Sequence, residues 1–271
     1  MKEVKKENCN NGEAPLLRVR SLSKAFGGVQ AQKDISFAID PGSITGLIGP
    51  NGAGKTTLFN LITGIFPPDS GTIDFNGRDM AACKVHQRVA AGIARTFQNV
   101  ELFGSMTVLE NVLVGLHVRT RSGMWGALTR LPWVKREERE ARANAMELLE
   151  FVGLTDLAHA PSRDLAFGWQ RLLEIARALA SRPQLLLLDE PAAGLNAVET
   201  RALADLIGRI RDRGVTTLLV EHDMNLTMEI CDNIIVLDQG RKIAEGPPRR
   251  IQEDEAVMEA YLGFGANCAT G

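Results

Sequence analysis

The chain has 271 residues, 45% of them apolar and 24% charged, with 31 basic against 33 acidic side chains and a formal net charge of −2. That length supports a large buried core in one domain or two unequal lobes, and the balanced charge excludes a global field that would gather nucleic acid or anionic lipid. No apolar run approaches the ~18 residues needed to span a bilayer.

The N-terminal "MKEVKKENCNNGE" lacks the apolar stretch of a signal peptide, and residues 1–15 are expected to be a disordered tail. Cys9, Cys83, Cys231 and Cys268 show no CxxC spacing, so free thiols in a reducing compartment are expected rather than disulfides or a zinc site. Short β-like runs come first: "LLRVRSL", "DISFAI" and "SITGLIG". A helix is predicted from Lys55 to Thr63. "GTIDFNGRDM" reads as a hairpin turning at Asn76-Gly77, two residues that tolerate positive φ, and "AGIARTFQ" as a further strand. From about Gln98 to Asp164 helix formers take over, and Ala145, Leu148, Leu149 and Val152 mark one helix face. "TRSGMWGALTRLPW" in this stretch reads as a loop or short helical turns. Residues 98–164 are therefore expected to be a helical subdomain inserted in a core of 16–97 and 165–271. Strand and helix then alternate: a helix over 169–181, the doubly buried strand "QLLLLDE", a helix over 198–213, the strand "VTTLLVEH", a short helix, "NIIVLDQG" and a turn to "RKIAEG". Such alternation implies an α/β fold with a mostly parallel sheet and an antiparallel piece at the front.

"GPNGAGKTT" fits G-x-x-x-x-G-K-[ST] and lies between a strand and a helix, the setting that motif requires. Gly49, Gly52 and Gly54 let the backbone around Pro50, Asn51 and Ala53 curl, so that successive N–H groups and the helix N-terminus face a phosphate. Lys55 is placed to reach the β- and γ-phosphates, Thr56 to ligate Mg²⁺, and Thr57 completes the motif. "LLLLDE" ends in Asp189 and Glu190, two carboxylates at the end of a buried strand, which need a cation or polar partner. Asp189 suits an outer-shell partner of Mg²⁺ through water, and Glu190 a base that orients and deprotonates water.

With Gln98 in "RTFQN", "LAFGWQ" at 165–170, "AGLN" at 193–196 and His222 in "VEHD", these motifs resemble the ATP-binding cassette (ABC) ATPases from about residue 17 onward. "LEIARALA" before "LLLLDEPAAGLNAVET", the long insert and the ending "EAYLG" look most like the ATP-binding subunits of bacterial branched-chain amino acid importers. The resemblance implies an α/β P-loop NTPase (RecA-like) core, an antiparallel β subdomain and an inserted α-helical subdomain, with ATP and Mg²⁺ as cofactors. By the same resemblance Phe26 stacks on adenine, although a core Phe fits the sequence too. Gln98 contacts Mg²⁺ or water and senses the transport partner, and His222 touches the γ-phosphate. Leu165, Ala166, Phe167, Gly168, Trp169 and Gln170 form the signature loop that closes over ATP held by an opposing subunit. The family's Ser is Ala166 here, a lost hydroxyl contact of about 1 kcal/mol, up to ~3 beside a charged phosphate. Trp169 is a second departure. It either swings away to cover the helical subdomain or the partner subunit, or it hinders closure. Asn196 replaces the usual Asp of the following loop, and no proton-transfer role is assigned to it.

The expected partners are a second ABC ATPase subunit, identical or a sibling, two integral-membrane permease subunits and, indirectly, an extracytoplasmic solute-binding protein, with no nucleic acid. The chain is then cytoplasmic and peripheral on the inner membrane face, with Leu102, Phe103 and Met106 as a wall for a permease helix. Lipopolysaccharide-export ATPases and soluble non-transport cassettes are the alternatives. A GTPase is disfavoured because no N-K-x-D element occurs.

Overall fold

The computed structural model describes residues 14–98, 101–116 and 132–266. Nearly all of the expected N-terminal tail and of the loop at "TRSGMWGALTRLPW" falls outside them; the last residues of that segment, Pro132 and Trp133, open a helix. β1 (Leu17–Phe26), β2 (Val29–Ile39), β4 (Ser70–Phe75) and β5 (Arg78–Asp79) form an antiparallel sheet in the order β2-β1-β4-β5. Asn76 and Gly77 turn β4 into β5 with φ of 52° and 76°, the left-handed pair that a two-residue hairpin demands.

The second sheet runs β10-β9-β3-β8-β7-β6, built from β3 (Ile44–Ile48), β6 (Ile93–Arg95), β7 (Leu185–Asp189), β8 (Thr216–Val220), β9 (Asn233–Asp238) and β10 (Arg241–Gly246). Its pairs are parallel except β10 on β9. The unbroken apolar run of β7 follows from burial on both faces. Leu186 and Leu188 enter one hydrophobic cluster, and Leu185 and Leu187 the other. Each such leucine contributes about 1.5–3 kcal/mol through its removal from water.

The cluster on the first face is closed by α3 (Val108–Leu116), α4 (Pro132–Val152), α5 (Phe167–Ala180) and α6 (Ala197–Asp212). α3, α4 and α5 pack on one another, and the predicted face residues Ala145, Leu149 and Val152 are buried there. The opposite cluster holds α1 (Lys55–Thr63) between the two sheets, with Leu58, Phe59, Leu61 and Ile62 all buried. α2 (Val85–Ala91), for which no helix was predicted, brings Arg88 beneath the C-terminus of α1. There Arg88 is 1% exposed and its guanidinium donates to the carbonyls of Leu61, Ile62, Met80 and Cys83 at 2.6–3.0 Å. α7 (Met224–Ile230), α8 (Pro248–Gln252) and α9 (Glu255–Ala266) complete the described chain. No helix among the described residues is long and apolar enough to cross a membrane.

Parallel pairing fixes where the site lies. Leu47 and Asp189 both register with Val220, and Arg95 registers with Leu187. The carboxyl ends of β3, β6, β7 and β8 therefore open side by side, the edge at which open α/β sheets hold ligands.

Candidate functional site

The loop after β3 is shaped by close approach at two of its three glycines. A Cβ at Gly49 would lie 2.1 Å from the Leu237 carbonyl oxygen, so only glycine fits. Gly54, with φ of 99°, turns the chain into α1, and a Cβ there would meet the Ala31 carbonyl oxygen at 2.7 Å. Gly52 differs from both. It is exposed, and a Cβ on it would meet nothing within 4 Å. What calls for glycine at Gly52 is its left-handed backbone, with φ of 82°, and not a neighbour.

The Gly54 carbonyl accepts from Leu58 N–H at 2.9 Å and from the side-chain amide of fully buried Gln32 at 2.7 Å. A peptide's C=O and N–H point in opposite directions. Anchoring the Gly54 carbonyl therefore aims the Lys55 N–H into the mouth of the loop.

Lys55 is buried, and its Nζ donates to the Gly49 and Pro50 carbonyls at 2.6 and 3.1 Å. Burial pushes this ammonium below the ordinary lysine range, and Glu190 and Asp189 oppose that pull. α1 has no side-chain N-cap and no acidic residue in its first turn. A desolvated cation beside an uncapped helix N-terminus makes surroundings that suit an anion, and polyphosphate fits them. Thr56 is exposed on the same turn. Asp189 is buried, its Oδ2 accepting from Arg95 Nη2 at 2.7 Å. A hydroxyl and a carboxylate are oxygen donors of the kind that suit a hard divalent cation.

β7 ends at Asp189 rather than including Glu190, because Glu190 adopts φ of 49°. A non-glycine residue held there costs about 1–3 kcal/mol, offset locally by the Glu190 N–H donating to Val220 O at 2.9 Å. The turn aims the carboxylate across the strand ends. Gln98 Nε2 donates to its Oε2 at 3.0 Å, and His222 Nε2 lies 2.9 Å from its Oε1. Gln98, Glu190 and His222, predicted from three separate segments, are thus brought together.

Beneath them sits Glu221. It is buried, and its carboxylate accepts from Ala192 N–H at 2.7 Å and from His222 N–H at 3.1 Å. Burial pushes the Glu221 carboxyl up, against those N–H groups. None of Gln32, Arg95 and Glu221 was picked out from the sequence. For the last two the available signal was a charged side chain inside the apolar runs "GIARTF" and "LLVEH".

The signature segment runs into the helix two residues earlier than expected. α5 starts at Phe167, not 169, with Ala166 as an N-cap that offers no side-chain hydrogen bond. Leu165 is buried in the core, and Gln170 Nε2 donates back to the Leu165 carbonyl at 2.9 Å, so both side chains serve the loop's own shape. Phe167 packs against Gly194, and Gly168 lies close to Glu199. Trp169 is 48% exposed. Asn196 is the N-cap of α6, accepting from Val198 and Glu199 N–H in a capping box with Glu199. Phe26 is 41% exposed, its ring edge-on to Phe66 at 5.1 Å, which removes the reading of a core Phe. Because half the Trp169 indole already meets solvent, Trp169→Asp is expected to change the ATPase rate by less than about threefold. A much larger rise would mean that the indole obstructs closure.

A family model described as ABC transporter matches residues 32–193. The chain belongs to the ABC transporter family. It is an ATP-binding, ATP-hydrolysing cassette of the kind that works with membrane components. A second model, described as branched-chain amino acid ATP-binding cassette transporter, matches residues 241–263 of this ABC ATPase. The chain is 44% identical over 250 residues to the high-affinity branched-chain amino acid transport ATP-binding protein BraF of Pseudomonas aeruginosa, covering 92% of this chain and 98% of the relative. It is 44% identical to LivG of Escherichia coli K12, a protein of the same description, over the same shares. The lipopolysaccharide export system ATP-binding protein LptB of Escherichia coli K12 is 35% identical over 247 residues, 91% of this chain and 97% of LptB. Among solved structures, an ATP-binding cassette of an ABC transporter in its ADP conformation superposes with a TM-score of 0.81 at 32% identity, covering 93% of this chain and 100% of the other. A nucleotide-free cassette gives 0.80 at 31% identity, covering 92% and 99%. The α/β P-loop fold of this ABC ATPase is therefore established together with its family.

Proposed function

We propose that this ATPase is the nucleotide-binding subunit of an importer for branched-chain or related amino acids. In that assembly two cassettes close on Mg²⁺–ATP and drive gating in two permease subunits, to which an extracytoplasmic binding protein delivers cargo. The observation that carries the hydrolytic part is the junction of Gln98, Glu190 and His222 beside the Lys55 loop. Support for the cargo comes from the branched-chain transport relatives at 44–45% identity, against 35% for the lipopolysaccharide-export protein, and from the model matching residues 241–263.

Bound Mg²⁺–ATP supplies the scissile phosphoanhydride and a cation that neutralises its charge. The chain's own residues position and polarise. The backbone N–H groups of 49–57, Pro50 excepted, and Lys55 bind phosphate oxygens, with exposed Gly52 leaving the mouth of the loop open to them. Thr56, Gln98 and, through water, Asp189 would hold the cation. Glu190 orients water and takes its proton, and His222 touches the terminal phosphate from beside it. Phe26 offers its ring to the base. Residues 165–170 close over the nucleotide of the opposing cassette through backbone N–H groups at the start of α5, which lacks acidic residues in its first turn.

Docking is read from a cleft of about 480 Å³ lined by Arg95, Glu101, Leu102, Phe103, Glu174 and Arg177 among others, which supports a permease helix entering there. Met106 does not line it. Phe103 is 45% exposed, with Arg177 over its ring. Phe103→Asp is expected to cut retention on permease-containing membranes by at least tenfold, as loss of a central aromatic anchor does, with the melting temperature shifted by less than about 3 °C. Full retention of the variant in membrane co-sedimentation would refute the docking site.

A further inference from the structure

The sheet's hold on the segment that presents Gln98 reaches Thr96, whose N–H donates to the Leu187 carbonyl at 2.9 Å; at Phe97 and Gln98 the backbone is held by α5. After β6 ends at Arg95, the Phe97 N–H donates to Glu174 Oε1 at 2.9 Å. Arg171 Nη1 donates to the Phe97 carbonyl at 2.8 Å, and Nη2 to the Gln98 carbonyl at 2.6 Å. The two side chains face each other one turn apart on α5, Arg171 Nη1 to Glu174 Oε2 at 3.2 Å, and both are buried. Burial pushes the Glu174 carboxyl up, while the Phe97 N–H and Arg171 pull it down. A buried pair of this kind is weak evidence for stability, because desolvation consumes most of the Coulombic gain. Its hydrogen bonds go instead to the backbone of the residues that aim Gln98 at Glu190.

We infer that Arg171 and Glu174 are positioning residues for the hydrolytic carboxylate: they bolt the start of α5 to the Gln98 segment, so that displacement of the signature segment moves Gln98 relative to Glu190 in the same chain. The bolt has contacts at both ends. Phe167, in the first turn of α5, lies with its ring 5.6 Å from the Arg171 guanidinium and touches the loop after β7 at Gly194. Glu174 lines the cleft that also holds Leu102 and Phe103. One helix thus links the segment proposed to meet the opposing nucleotide, the cleft proposed to meet the permease and the group proposed to activate water. The inference rests on the transport-ATPase reading for the last two links, whereas the bolt itself is independent of it.

The test uses the assembled transporter and the nucleotide-free subunit, with the variants Arg171→Lys and Arg171→Met/Glu174→Leu. The double variant replaces the pair with apolar groups of similar volume, a change such sites often accept without loss of fold. Arg171→Lys keeps the charge but cannot present two parallel N–H groups to two carbonyls. In the double variant, hydrogen exchange at the Phe97 amide is expected to speed up by about tenfold or more, with exchange in β7 unchanged. In the transporter, kcat is expected to fall by about tenfold or more with KM for ATP within about threefold, the pattern of a misplaced group rather than a lost binding contact. Arg171→Lys should give the same pattern at smaller size, and it decides the matter should the double variant not fold. Unchanged Phe97 exchange, a kcat within about twofold of wild type, or a loss confined to KM would overturn the proposal. A wild-type transporter without ATPase activity would refute the functional reading instead, leaving the exchange measurement to decide on the bolt.

Discussion

Glu190→Gln is expected to lower ATP turnover in the assembled transporter by about 10²–10⁴-fold, the range that a positioned general base supplies, with nucleotide binding retained. The carboxylate has two donors on it: the Gln98 amide on one oxygen, and His222 Nε2 on the other. Because a carboxylate only accepts, the His222 tautomer consistent with this geometry carries its proton on Nε2. Each oxygen keeps a further lone pair for the O–H of an attacking water. A glutamine keeps the volume and one acceptor oxygen but turns the other end into a donor, facing either the Gln98 amide or the imidazole N–H. It therefore loses a partner and the ability to take up a proton together. The hydrogen bonds of Lys55 and of the loop at 49–54 are left as they were, since they run to the loop's own carbonyls and to Gln32, and Asp189 remains to favour the Lys55 ammonium. Equilibrium binding of labelled ATP, together with single-turnover hydrolysis, separates these effects. Turnover near the wild-type rate would remove Glu190 from the role of base.

The parts legible in the sequence were those whose cause is local. The curl at 49–54, the αL turn at Asn76-Gly77 and the run of leucines before Asp189 each follow from a few neighbouring residues. Within that curl, the motif alone did not separate Gly52, needed for its own φ, from Gly49, needed because Leu237 on a distant strand comes close. The contacts that tension the site were not legible because they join distant segments. Arg95 meets Asp189 94 residues away, Phe97 meets Glu174 77 residues away, and Ala192 meets Glu221 29 residues away. Nothing in "RTFQ" or "QRLLE" says that a helix will anchor a loop through two carbonyls. α2 escaped notice because "VHQRVAA" is too short for its period to stand out, and its one decisive residue is charged. At Asn196 the sequence offered a departure from a family pattern, whereas the local geometry gives a helix cap that any Asp or Asn would make.

Arg88→Met is expected to destabilise the cassette by about 3–5 kcal/mol, the cost of stranding buried polar partners. The guanidinium is held without a carboxylate hydrogen-bonded to it: Nη1 donates to Leu61 and Ile62, Nη2 to Met80 and, at 3.4 Å, to Ala81, and Nε to Cys83. The C-terminal carbonyls of α1 carry the negative end of that helix's dipole and take the place of a counter-ion. Burial pulls the Arg88 pKa down from its usual value, yet a guanidinium stays charged in proteins. Methionine fills much of the volume but satisfies none of those carbonyls, in a place closed by Gly64, where an added Cβ would lie 2.7 Å from Arg88 Nε. Arg88→Lys should fall between the two, since one ammonium cannot reach both the end of α1 and the turn after β5. A cassette of this size loses about 2–4 °C of melting temperature per kcal/mol, so thermal unfolding should drop by roughly 10 °C for Met and less for Lys. The same change loosens the far end of the helix that begins at Lys55, so affinity for ATP is expected to fall with stability rather than independently of it. A melting temperature within about 2 °C of wild type would mean that water replaces the guanidinium beneath α1.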